Sequence, residues 1–248
     1  MYQFFVEPEQ ININDKSVII TGGDVNHIKN VLRMKVGEEL SVSNGQDGKE
    51  YRCGIVEFLE ESIRCELRFV KEEGVELPVE VVLFQGLPKG DKMELIIQKA
   101  VELGVREIVP VAAKRCVVKL DDKKAASKVS RWQSIAEAAA KQSKRGLIPA
   151  VSPVTDFVRA LERAAEMDVR LIPYELAEGM ERTRELFSGI RPGQRVAVFI
   201  GPEGGFEESE IARAKGVGVE PITLGRRILR TETAGMTVLA WLGYLLEQ

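Results

Sequence analysis

The stretch Val196-Ala197-Val198-Phe199-Ile200-Gly201-Pro202-Glu203-Gly204-Gly205-Phe206-Glu207-Glu208-Ser209-Glu210 decides how this chain is read. Its apolar run, Val196 to Ile200, has the character of a strand buried on both faces. A glycine- and proline-rich turn follows, and EESEIARAKG (207–216) then reads as a helix. In open parallel sheets, ligands bind beyond the carboxyl ends of strands. Glycines at such a place let backbone approach a ligand closely. No GK[ST] follows, so this is not a P-loop, and the spacing is not GxGxxG. A plain structural turn would explain the glycines but would not by itself need Glu203. Composition alone leaves the two readings open.

Outward from this unit, strand and helix signals alternate from residue 79 onward. VEVVLFQ (79–85), REIVPV (106–111), DVRLIPY (168–174) and VEPITLG (219–225) are further strands. DKMELIIQKAVELG (91–104) places Met93, Ile96, Ile97, Ala100 and Val101 on one helical face, with Asp91 and Gly104 as end signals. A long helix is expected near 125–145, with Val129, Trp132, Ala136 and Ala139 inward. Apolar strands alternating with helices predict an α/β domain with a parallel sheet covered on both faces. AGMTVLAWLGYLLEQ (234–248) is apolar around almost its whole circumference, which calls for burial all round, in the core and at a homodimer interface.

Residues 1–71 read differently, as short strands with NGQDG (44–48) as a hairpin signal. One helix is expected from Asp24, as N-cap, through His27, Val31 and Leu32. Short strands with one helix suggest a small barrel, and KEEGVELP (71–78) reads as a linker. Two domains follow, 1–73 and 74–248.

The chain has 248 residues, 44% hydrophobic and 29% charged, with 6% aromatic. This balance excludes a disordered chain and a disulfide scaffold. The opening MYQFFVEPEQ lacks the basic start and apolar core of a signal peptide, and no apolar run is long enough to span a membrane, so a cytoplasmic protein is expected. Three scattered cysteines without a CxxC pair and a single histidine argue against a metal centre. The net charge of −3 hides segregation: residues 89–149 carry 14 basic and 7 acidic side chains, whereas 1–75 carry 9 and 14. A basic segment in an acidic chain is either solvated surface or a polyanion-binding face.

Chemistry-bearing residues gather in four places. Beside the glycine loop, TLGRRILRTETAG (223–235) packs Arg226, Arg227, Arg230 and Glu232 around Ile228 and Leu229, after a strand of the same sheet. The two loops are expected to meet around one pocket. LPKGDKMELIIQKAVELGVREIVPV (87–111) contributes Lys89 and Lys92, and SRWQSIAEAAAKQSKRGLIP (130–149) contributes Arg131, Lys141 and Arg145. These cations are either solvated or phosphate contacts.

The ordered set HIKNVLRMKVGE (27–38), QKAVELGV (98–105), EAAAKQSKR (137–145), IGPEGGF (200–206) and LGRRILRTETA (224–234) resembles the bacterial 16S ribosomal RNA (uracil-N3) methyltransferases of the SPOUT class, over essentially the whole chain. The resemblance implies a PUA-like β-barrel that helps hold RNA, followed by an α/β domain with a C-terminal trefoil knot. It implies a homodimer that binds S-adenosylmethionine and methylates N3 of a uridine in 16S rRNA of the small ribosomal subunit. Carried onto this sequence, the cofactor residues would be Pro173, Tyr174, Glu175, Ile200, Gly201, Pro202, Gly204, Leu224, Gly225, Ile228, Leu229, Thr233 and Ala234. Arg230 and Glu232, with Glu203 as a second carboxylate, would carry catalysis. RNA would meet His27, Arg33, Lys89, Lys92, Arg131, Lys141 and Arg145. No metal and no membrane are implied. Two other classes compete. A non-catalytic RNA-binding protein has no use for the two site loops, and an enzyme acting on a small nucleotide-like substrate has no use for the barrel.

Overall fold

The computed structural model describes residues 1–72, 74–175 and 179–247. Two compact units result, one of Met1–Glu76 with Ala140–Ile148, the other of Leu77–Ala139 with Pro149–Gln248.

In the first unit, strands β1 (Gln3–Phe5), β2 (Ile11–Asn12), β3 (Ser17–Thr21), β4 (Glu39–Ser43), β5 (Glu50–Phe58) and β6 (Ser62–Lys71) form one sheet in the order β1-β4-β5-β6-β3-β2. The β1–β4 pair is parallel, and the other pairs are antiparallel. Period-two alternation sends Ile63, Cys65 and Leu67 of β6 inward, where Phe4, Val18, Ile20, Leu40 and Ile55 meet them. Burial pushes the Cys53 and Cys65 thiols up to about 12. The expected helix is present with a change of pitch: α1 spans Gly23–Asn26 and continues as a wider π turn over His27–Val31, ending at Leu32. Its cap is Gly22, at φ +73°, instead of Asp24. The Asp24 carboxylate is instead held by Lys141 at 2.9 Å.

Residues 140–148 join this unit through a parallel bridge between Gly45 and Leu147 and a bond from Ile148 N–H to the Gly45 carbonyl, 3.0 Å. Arg145 is buried at 2% exposure, with its Nε donating to Glu76 Oε2 at 3.0 Å.

The second unit is built on β7 (Glu80–Gly86), β8 (Glu107–Ala112), β9 (Ala150–Val151), β10 (Thr155–Asp156), β11 (Val169–Pro173), β12 (Arg195–Ile200) and β13 (Glu220–Ile222). All pairs are parallel, in the order β10-β8-β7-β12-β11-β13, with β9 on β8. Central β7 and β12 are buried on both faces, as their uninterrupted apolar runs require. Phe84 and Phe199 are register partners whose rings stack 4.5 Å apart. Helices α2 (Lys92–Glu102), α3 (Asp122–Gln142), α4 (Phe157–Ala164), α5 (Met180–Ser188), α6 (Glu208–Gly216) and α7 (Thr231–Leu246) complete the chain.

One expectation about α7 changes. The helix begins at Thr231, so Thr231, Glu232 and Thr233 form its first turn and are not loop residues. Within the chain, Val238, Leu239 and Leu242 are buried in the core, whereas Tyr244 is 86% and Leu245 46% exposed. No described helix is long and apolar enough to cross a membrane.

Candidate active site

The carboxyl ends of β11, β12 and β13 open into loops that line one pocket of about 620 Å³. Pro173, Tyr174 and Glu175 come from the first loop, 200–206 from the second and 223–231 from the third. Parallel strands deliver their loops to the same edge, so the fold itself makes this convergence.

Backbone proximity shapes the floor. A Cβ on Gly86, the last residue of β7, would lie 2.6 Å from Pro202 Cδ and 2.7 Å from Pro202 N. Only glycine lets the 201–205 turn settle against β7. Gly225 takes φ +105°, which sends the third loop back over the pocket.

A buried polar relay joins the loops. Gln85, fully buried, donates Nε2 to Thr231 Oγ1 at 2.9 Å, and Thr231 donates to the Gly201 carbonyl at 2.6 Å. The second loop is thereby fixed to the first turn of α7, which carries Glu232. Arg115 ties down the other side by donating Nη1 to the Gly204 carbonyl at 2.9 Å.

The titratable groups cluster at one wall. Lys92 Nζ lies 2.9 Å from Glu203 and 3.8 Å from Glu232. Burial alone would raise the Glu203 carboxyl, but bonds from Lys92 and from the N–H groups of Glu203 and Lys89 hold it below the usual carboxylate range. Glu232 Oε2 is buried and has no hydrogen-bond partner among the described residues. A buried carboxylate oxygen that accepts no hydrogen bond is costly, and the Lys92 ammonium at 3.8 Å offsets part of that cost.

Of the residues expected to hold a cofactor, Pro173, Tyr174, Glu175, Ile200, Gly201, Pro202, Gly204, Leu224, Gly225, Ile228, Leu229 and Ala234 all line this pocket. Thr233 is exposed and does not line it. Ile228 sits at the mouth, 87% exposed. Glu203 and Arg230 line the pocket, and Glu232 reaches its wall through Lys92.

The expected RNA contacts scatter. Arg145 is buried against Glu76, so its guanidinium is removed from any surface ligand and the expectation fails. Lys92 belongs to the pocket, Arg131 is paired with Glu94 at 2.9 Å, and Lys141 with Asp24. His27, Arg33 and Lys89 are exposed. Sequence reading missed Gln85, Gly86, Arg115 and the relay role of Thr231. Gln-Gly ending an apolar strand is the signal for the first two. Among the described residues, no group of three or more His, Cys, Asp and Glu side chains is arranged to hold a metal ion.

A profile of the RNA methyltransferase domain matches residues 75–243, and one of the RNA methyltransferase PUA domain matches residues 20–61. The chain is 38% identical, over all of its length and 98% of the relative's, to the ribosomal RNA small subunit methyltransferase E of Bacillus subtilis. It is similar to the crystal structure of the same-named protein from Neisseria gonorrhoeae bound to S-adenosylmethionine. There the TM-score is 0.82, with 31% identity, covering 99% of this chain and 98% of that one. A Legionella pneumophila methyltransferase structure, also with S-adenosylmethionine, aligns with a TM-score of 0.79 and 32% identity, covering 98% and 97%.

Proposed function

The chain belongs to the ribosomal RNA small subunit methyltransferase E family, and from that premise we propose that it transfers a methyl group from S-adenosylmethionine to N3 of a uridine in 16S rRNA. The observation that carries this reading is one pocket, floored by glycine backbone and walled by Glu203, Lys92 and Arg230, with Glu232 behind Lys92 at 3.8 Å.

The residues fit the cofactor. The cavity volume suits a small molecule, and its walls mix apolar Ile200, Leu224 and Leu229 with open backbone groups. Those residues, with Tyr174 and the Gly201–Gly204 turn, would hold it. Bound there, S-adenosylmethionine supplies a methyl group already activated by its sulfonium, without a metal. The rest of the chemistry falls to the chain. N3 of uridine must lose a proton, and Glu232 Oε2, which accepts no hydrogen bond, would take it. Arg230 stabilises the charge that develops on a uracil carbonyl oxygen. Lys92 bonds Glu203 and holds that carboxyl below its ordinary range. The relay through Gln85 and Thr231 holds the cofactor loop in register with that base.

The same reading assigns residues 1–73 to RNA holding and 74–248 to catalysis, in the cytoplasm. It includes a trefoil knot at the C-terminal end, supported by β13 lying beside β11 and by three loops gathering at one pocket. It includes a homodimer, supported by the exposed Leu95 of α2 and Tyr244 and Leu245 of α7, apolar side chains on two helices that pack together.

Calorimetry with S-adenosylmethionine, paired with methyl transfer to unmodified small subunits, tests the assignment. Wild-type protein should bind cofactor and turn over. Arg230→Ala and Glu232→Ala should bind cofactor and lose turnover. Full turnover by both variants would overturn the catalytic roles.

A further inference from the structure

The cations around the pocket divide into engaged and unengaged groups. Lys92 is held by Glu203, and Arg115 donates to the Gly204 carbonyl. Arg226 and Arg227 are exposed, line the pocket, and have no hydrogen-bond or ion-pair partner among the described residues. Several cations that sequence reading offered to RNA are, by contrast, already neutralised. Arg131 is paired with Glu94, Lys141 with Asp24 and Arg145 with Glu76.

Charge balance says what the free pair is for. Five cations line the pocket, Lys92, Arg115, Arg226, Arg227 and Arg230, against the carboxylates Glu175 and Glu203. S-adenosylmethionine carries one carboxylate against a sulfonium and an ammonium, so it neutralises at most one of the guanidinium groups at the mouth. A further anion accounts for the rest. Guanidinium groups fork onto phosphate oxygens, and Gly225 at φ +105° starts the loop that presents them. Exposed Ile228 follows directly, an apolar surface beside the two charges.

Resting on the RNA methyltransferase reading above, we propose that Arg226 and Arg227 form a phosphate seat at the pocket mouth, which grips the RNA backbone next to the target base. The seat acts on RNA affinity and register and not on cofactor binding. Phosphate contacts fix position without reading sequence, so the seat sets where the chain stops along the RNA.

The test is the double variant Arg226→Gln with Arg227→Gln. Its S-adenosylmethionine affinity is measured by calorimetry, and its binding to fluorescein-labelled poly(U) by anisotropy across a salt series. The wild-type protein is read in parallel. Cofactor affinity should stay within about twofold, while RNA affinity falls about tenfold or more, as loss of charge-assisted contacts predicts. The slope of log affinity against log salt should flatten by about 0.7 for each lost contact. Arg226→Lys with Arg227→Lys should restore most of the slope. Unchanged RNA affinity and slope would overturn the seat. So would a loss confined to cofactor affinity, or an altered oligomeric mass with intact RNA binding, which would make the arginines subunit contacts. If both affinities fall together, restoration of the slope by the lysine pair supports the seat, and its failure overturns it. Failure of the methyltransferase reading itself would look different, because wild-type protein would then bind no cofactor.

Discussion

Thr231 donates its hydroxyl to the Gly201 carbonyl at 2.6 Å and accepts from Gln85 at 2.9 Å, so one side chain locks the glycine loop to the helix that carries Glu232. Thr231→Val keeps the shape and removes the hydroxyl. Gln85 Nε2 would keep only its bond to the Gly86 carbonyl and the Gly201 carbonyl would lose its donor, at a cost of about 1–3 kcal/mol in all. Melting temperature should drop by several degrees, and cofactor affinity should drop with it because the Gly201 turn loosens. Thr231→Ser should retain both. Calorimetry and thermal melts on the three proteins check this, and a valine variant equal to wild type would remove the relay from the account.

Glu232 is assigned the proton and Arg230 the developing negative charge. Glu232→Gln should lower kcat by about 100- to 10,000-fold, the range for a general base, with the cofactor Kd little changed. Single-turnover kinetics with saturating cofactor give this number directly. A variant that loses only KM would make Glu232 a binding group.

Arg145 and Glu76 form an ion pair in the first unit, with the Arg145 side chain only 3% exposed. Glu76→Ala removes a carboxylate that this buried guanidinium donates to and should cost up to about 3–5 kcal/mol. Replacing both partners, Glu76→Leu with Arg145→Met, should recover most of the loss, because an apolar pair needs no counter-charge. Denaturant melts of the single and double variants measure the difference.

Glu203 lies below its ordinary value of 4.5, because the bonds from Lys92 and two backbone N–H groups outweigh burial. A depressed carboxylate contributes stability that is present above its unfolded value and lost as pH falls through the folded one. Wild-type protein should therefore lose stability more steeply than Glu203→Gln below pH 4.5. Thermal melts down to about pH 3 follow this window. Parallel curves for the two proteins would contradict the ion pair.

Much of the site was legible before any coordinates, because it lies in contiguous loops. Strand character in VAVFI and in VEPITLG placed both loops at strand ends, and parallel topology then brought them together. What local pattern could not show was contact between distant segments. Gln85, Gly201 and Thr231 are far apart in the chain, and only β7 pairing with β12 makes them neighbours. Arg145 looked like a surface cation because it follows a run of polar residues. Its segment is instead drawn into the first unit, where Glu76 neutralises it. The start of α7 was missed for a related reason. Its first turn, Thr231 to Thr233, is polar, so apolar periodicity begins only afterwards. Gly22 stands as the cap, and the Asp24 carboxylate pairs with Lys141.

The most direct measurement is incubation with methyl-labelled S-adenosylmethionine and unmodified small ribosomal subunits, followed by digestion of the RNA to nucleosides. The account predicts label in 3-methyluridine, lost in the Glu232→Gln variant. Label in any other nucleoside, or none from a protein that binds cofactor, would contradict it.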